Sequence, residues 1–73
     1  MATKIPIKTE TIKLDQLLKL AGAAQTGGHA KELIQAGEVL VDGAACLQRG
    51  KKMRPGMIVQ AQGETYEVVG SED

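Results

Sequence analysis

The stretch from Leu14 to Gly43, LDQLLKLAGAAQTGGHAKELIQAGEVLVDG, reads as two short helices, a strand and a tight turn, and it limits what the rest of the chain can do. Leu14, Leu17, Leu18 and Ala21 recur at the i, i+3, i+4, i+7 spacing of one helical face, and Ala30, Leu33 and Ile34 repeat that spacing after a loop. Two amphipathic helices must therefore share one core. Gly22 supplies the positive φ that ends the first helix, Thr26 caps the second, and Gly37 stops it. Val39-Leu40-Val41 then forms an apolar, largely β-branched strand that Asp42-Gly43 closes with a hairpin signal.

The flanking segments complete this unit. Ile5 and Ile7 alternate with Lys4, Pro6 and Lys8, which predicts a short strand over 4–8, at an edge because Pro6 has no N–H to donate. Ala44-Ala45-Cys46-Leu47 is expected as the return strand of the Asp42-Gly43 hairpin, and Gln48 to Arg54 as a loop. Arg54-Pro55-Gly56-Met57 fits a type II turn. Residues 57–61 and 65–69 read as two strands joined around Gln62-Gly63 in a looser hairpin, and 70–73 as a disordered, solvated tail. The expectation is one α+β domain over 1–73 with its core in 11–69.

Composition narrows the function. A chain of 73 residues buries only roughly 60% of its unfolded surface, which disfavours a deep catalytic cleft. With no Phe, no Trp and one Tyr, an aromatic platform for stacking bases is excluded as the main binding device. The single cysteine, Cys46, has no internal disulfide partner and is expected as a small buried hydrophobe. No apolar run approaches the roughly 20 residues of a membrane span, and MATKIPIKTE lacks the apolar stretch of a secretory signal, so a cytoplasmic location is expected.

Nine basic and nine acidic residues cancel in number but not in position. Arg49, Lys51, Lys52 and Arg54 fall within six residues without an intervening acid, while Glu64, Glu67, Glu72 and Asp73 collect near the C-terminus. A basic loop rigidified by Gly50 on one side and Pro55-Gly56 on the other would hold these four cations near one another, which favours a polyphosphate partner against the alternative of a merely solubilising loop. Thr26-Gly27-Gly28-His29 opens a helix and leaves backbone N–H groups accessible to a phosphate, against the alternative of a flexible cap. Its glycines lack the spacing of a nucleotide-binding loop. One His and one Cys make no metal set, and Asp15 and Glu32 are better explained as a helix-start charge and a solvated residue than as catalytic carboxylates. Neither a catalytic residue nor a cofactor is expected.

Three motifs in order, KLDQLL, then TGGHAKELI followed by G-x-V-x-V-D-G, then RGKKMRPG, resemble the RNA-binding domain named after ribosomal small-subunit protein four, the S-four domain. The likeness covers about Thr11 to Val69 and is nearest to the small stand-alone, YbcJ-like members. It implies two helices packed on a small, strongly bent antiparallel sheet, the alpha-L motif, which presents basic side chains to structured RNA. Carried over by position, it implies RNA-binding roles for Lys13, Thr26, Lys31, Arg49, Lys51, Lys52 and Arg54, with Asp42 where the family commonly has Asn in its turn; Gly27, Gly28 and His29 join these as RNA-binding candidates through the helix start they form. Thr26-Gly27 stands where Ser-Arg is frequent, and Gln48 where Arg is common, so the cationic surface is thinner than in many relatives.

The implied partner is structured RNA, ribosomal or tRNA-like, or a ribonucleoprotein particle, bound by a monomer with no small-molecule substrate and no membrane. The rival reading is a protein-interaction adaptor that uses the same fold without RNA. If RNA is the partner, the six cations Lys13, Lys31, Arg49, Lys51, Lys52 and Arg54 should converge on one face, with Glu64, Glu67 and the tail directed elsewhere.

Overall fold

The computed structural model describes residues 2–71 and has the α+β architecture the patterning predicts. The elements in chain order are β1 (Thr3–Ile7), β2 (Ile12–Lys13), α1 (Leu14–Leu20), α2 (Gly27–Gln35), β3 (Val39–Val41), β4 (Ala44–Ala45), β5 (Lys52–Met53), β6 (Ile58–Ala61) and β7 (Glu64–Gly70). Five strands form one sheet in the order β1-β7-β6-β3-β4, and β2 and β5 form a separate two-stranded ribbon.

Both helices end as their glycines require. At α1, Gly22 has φ +81°, its N–H donates to Lys19 O, and the Ala23 N–H donates to Leu18 O. At α2, Gly37 has φ +76°, its N–H donates to Ile34 O, and the Glu38 N–H donates to Leu33 O. Each is a Schellman closure, in which the left-handed residue turns the chain back onto carbonyls the helix leaves unpaired. The apolar faces read from the sequence are the ones buried: Leu14, Leu17 and Leu18 from α1, and Ala30, Leu33 and Ile34 from α2. Ala23 and Ala24 of the connecting loop join them in the core.

The sheet contributes its inward side chains in register. Val41 lies opposite Val59, Val59 opposite Tyr66, and Ile5 opposite Val68, all of them buried. Period-2 alternation puts Leu40, Gln60 and Thr65 on the other face. The Asp42-Gly43 turn has φ +50° and +87°, the left-handed pair of a type I′ hairpin. The Asp42 Oδ1 atom also accepts from the Ile58 N–H at 3.0 Å, tying the turn to the neighbouring strand.

Several expectations are corrected in detail. β1 is an edge strand, as Pro6 demands, but covers Thr3–Ile7 and runs parallel to β7, so the sheet is mixed where antiparallel pairing was expected throughout. The return strand after Gly43 is only Ala44–Ala45; Cys46 is half-buried and Leu47 exposed, where the chain leaves β4, the outer strand of the sheet. Gln62 and Gly63 have φ +54° and +79°, making the last hairpin as tight as the first rather than looser. Gly70 ends β7 and the Ser71 N–H donates to Ile7 O, so ordered backbone reaches into the segment expected as a tail; Glu72 and Asp73 lie outside the described residues.

The largest correction concerns 48–54. In place of a free loop, Lys52–Met53 pairs antiparallel with Ile12–Lys13, with Met53 fully buried beneath the ribbon. A buried methionine anchors the basic segment from its middle.

Candidate nucleic-acid interface

The β2–β5 ribbon sets the geometry of the cations. Ile12 lies opposite Met53 and Lys13 opposite Lys52. Successive strand residues point to opposite faces and cross-strand partners share one, so the apolar pair turns inward and the two lysines stand together on the exposed side. Directly opposed Cβ atoms in such a pair are roughly 4.5–5.5 Å apart, and like charges there destabilise the ribbon.

Arg49 and Lys51 are fastened to the same place through their backbone. The N-terminal residue flanking α1, Lys13, makes no side-chain cap. The first N–H groups of α1 are satisfied instead by the basic segment: Leu14 N–H donates to Lys51 O at 2.9 Å, and Asp15 N–H to Arg49 O at 3.0 Å. These bonds fill donors that a helix start otherwise leaves open, and they hold 49–51 beside Lys13. Lys13, Arg49, Lys51 and Lys52 are thus gathered from two segments far apart in sequence. Arg54 follows the ribbon immediately, where its carbonyl accepts from Met57 N–H in the Pro55-Gly56 turn and Gly56 has φ +98°.

The opening of α2 is built separately. Thr26 Oγ1 accepts from the His29 N–H at 3.0 Å, and His29 Nδ1 accepts from the Gln25 N–H at 3.2 Å. The imidazole therefore braces the loop. Gly27 and Gly28 are exposed, take no positive φ, and have no backbone atom near the space a Cβ would fill. Among the described residues, neither of their N–H groups has a hydrogen-bond partner. Lys31 is exposed on α2, one position past the buried Ala30. The link from α2 to the basic ribbon runs through α1, which packs on α2, β2 and β5. The structure thus pairs Lys13 with Lys52 and brings the backbone of Arg49 and Lys51 beside them, places Arg54 next in chain, and carries Lys31 on the partner helix.

The carboxylates are distributed unevenly. Glu64 and Glu38 line a depression with Gln62 and Gly63 at one end of the β3–β6 ladder, whereas Asp42 and Lys51 line a groove at the other. Glu67 lies mid-sheet opposite Lys4. Among the described residues no helix is long and apolar enough to cross a membrane, and no cluster of three or more His, Cys, Asp or Glu could hold a metal ion.

What sequence reasoning missed is the ribbon and the carbonyl caps. Two-residue strands carry no periodicity, and a cap made by backbone leaves no signature in residue type. The one available signal was Met53, an apolar residue isolated among cations, whose burial requires its neighbours to alternate outward.

Comparison with known proteins agrees with this architecture. The family model described as "S4 domain", the S-four domain above, matches residues 5–69. A Bacillus subtilis (strain 168) protein named "Probable ribosome maturation protein RlbA" is 44% identical over 63 residues, covering 86% of this chain and 89% of that protein. An Escherichia coli (strain K12) protein named "Putative RNA-binding protein YbcJ" is 38% identical over 69 residues, covering 94% of this chain and 99% of its own length. A Shigella flexneri protein named "Uncharacterized protein YbcJ" aligns with the same figures.

Proposed function

The chain belongs to the S4 domain family, and on that premise we propose that it is a non-catalytic binder of structured RNA, gripping phosphates with the basic ribbon. The observation that carries this reading is the Lys13–Lys52 pair. A protein gains no stability from two lysines in direct cross-strand opposition, and Arg49 and Lys51 are stitched beside them. An anion laid across the four converts the mutual repulsion into shared attraction, and a nucleic-acid backbone supplies such anions at regular spacing.

The start of α2 supports the same partner. Gly27 and Gly28 open α2, yet no positive φ and no steric contact in the fold requires glycine at either position. Glycines with unpaired N–H groups at the positive end of a helix dipole allow a phosphate to approach the backbone closely. Thr26, Gly27, Gly28, His29 and Lys31 form the secondary contact surface in this reading, and the names of the relatives point to ribosomal RNA or its assembly particles as the source of the ligand. The acting species is taken as a monomer in the cytoplasm.

Titration of a fluorescent RNA hairpin at several salt concentrations tests the proposal. Four to six phosphate contacts give a log–log slope of roughly −0.7 to −0.9 per contact. Binding that ignores salt, or no binding to any of several structured RNAs, moves the assignment to the adaptor reading.

A further inference from the structure

Beside Lys51 lies an open groove of about 520 Å³, walled by Leu47, Cys46, Met57, Gln48 and Asp42. That volume falls in the range of small-molecule sites, roughly 300–1,000 Å³. Leu47 is 65% exposed, while half-buried Cys46 and Met57 pack against the core, so the groove presents a leucine that is largely open to solvent. Resting on the RNA reading above, we propose that this groove receives one unstacked nucleobase of the bound RNA.

The charges at the groove select a base over other parts of the ligand. Lys51 belongs both to the groove wall and to the ribbon cluster, so a strand whose phosphates lie on Lys13 and Lys52 passes the groove mouth. Asp42 stands in the wall, with one carboxylate oxygen held by the Ile58 N–H, and its negative charge repels a phosphate that turns inward. A base is neutral and flat, and its faces suit the apolar wall of Leu47 and Met57. Its edge donors and acceptors find the Gln48 carboxamide and the free side of the Asp42 carboxylate. RNA-binding domains read sequence mainly from such splayed bases in loops, bulges and ends. The groove wall carries no aromatic residue, so in this proposal Leu47 and Met57 cover the face of the base.

Cys46 is the only cysteine of the chain and serves as a reporter inside the groove. The experiment compares two RNA hairpins of equal length and charge, one with a fully paired stem and one with a single bulged nucleotide. It measures affinity by anisotropy and the alkylation rate of Cys46 by mass spectrometry. The bulged hairpin is expected to bind more tightly and to slow alkylation severalfold, the paired one to leave the rate unchanged. Leu47→Ala should weaken binding of the bulged hairpin by about three- to tenfold with an unaltered salt slope, and leave the paired hairpin unaffected. Equal affinities, or Cys46 alkylated equally in both complexes, overturn the base groove while leaving RNA binding in place. Failure of the wild-type protein to bind either hairpin overturns the RNA reading and this inference with it.

Discussion

Changing Lys52 to glutamate should make the domain more stable and a poorer RNA binder at once. In the structure Lys52 faces Lys13 across an exposed two-residue ribbon. Two ammonium groups about 7 Å apart in a water-like dielectric repel by about 0.6 kcal/mol, and a carboxylate in place of one ammonium reverses the sign. The combined change is about 1 kcal/mol before solvent and side-chain freedom reduce it, and measured exposed pairs fall at roughly 0.2–1 kcal/mol. For a domain of this size, at roughly 4–8 °C per kcal/mol, that corresponds to a rise in Tm of about 1–8 °C. Thermal melts of wild type, Lys52→Gln and Lys52→Glu at low salt should rank in that order, Lys52→Glu highest. In 1 M salt, where the screening length is about 3 Å, the three should coincide. RNA affinity should fall in the same order, with the salt slope shallower by about one unit for each phosphate the protein no longer neutralises. A low-salt Tm for Lys52→Glu at or below that of wild type would refute the opposed-lysine geometry, and an unchanged RNA affinity would refute its function.

Other expectations test the frame and the surface. Leu17 and Leu33 are both buried at the helix interface, and truncating either to Ala should cost about 2–5 kcal/mol by denaturant unfolding. Because the Asp42-Gly43 and Gln62-Gly63 turns share left-handed geometry, Gly43→Val and Gly63→Val should destabilise comparably, each by at least about 1–2 kcal/mol. Thr26→Ala removes the acceptor for the His29 N–H and should lower stability by about 0.5–2 kcal/mol. The double change Lys51→Ala, Lys52→Ala should weaken RNA binding across many sequences and reduce the salt slope by about one to two units, while the protein stays folded and, in high salt where the Lys13–Lys52 repulsion is screened, keeps a denaturant midpoint close to wild type.

The helices were legible because their signals are local and redundant: a 3.6-residue apolar period, a threonine cap and two glycines that each force a left-handed turn. The first hairpin was legible because Asp-Gly fits a type I′ turn. The last hairpin was misjudged because Gln62 is an uncommon residue at φ +54°, and the strands on either side impose the turn. Parallel pairing of β1 was hidden for a different reason. Alternation of Ile5 and Ile7 reveals a half-buried strand but not which neighbour it joins or in which direction. At the candidate site, residue types identified the cations, whereas their grouping depends on carbonyls of Arg49 and Lys51 that any residue could supply.

The pairing of β1 with β7 also sets an order of assembly. Thr3 meets Tyr66 across nearly the whole chain, and Ile5 and Ile7 sit in a strand whose partner, β7, pairs in turn with β6. Contacts so distant in sequence must wait for the intervening chain to be organised, whereas α1, α2 and the β3–β4 hairpin can begin from near neighbours. On that reasoning β1 is expected to be among the last segments to dock. Until then its isoleucines are open to other strands, and Pro6 and the flanking lysines, Lys4 and Lys8, guard it over that interval as they guard the finished edge.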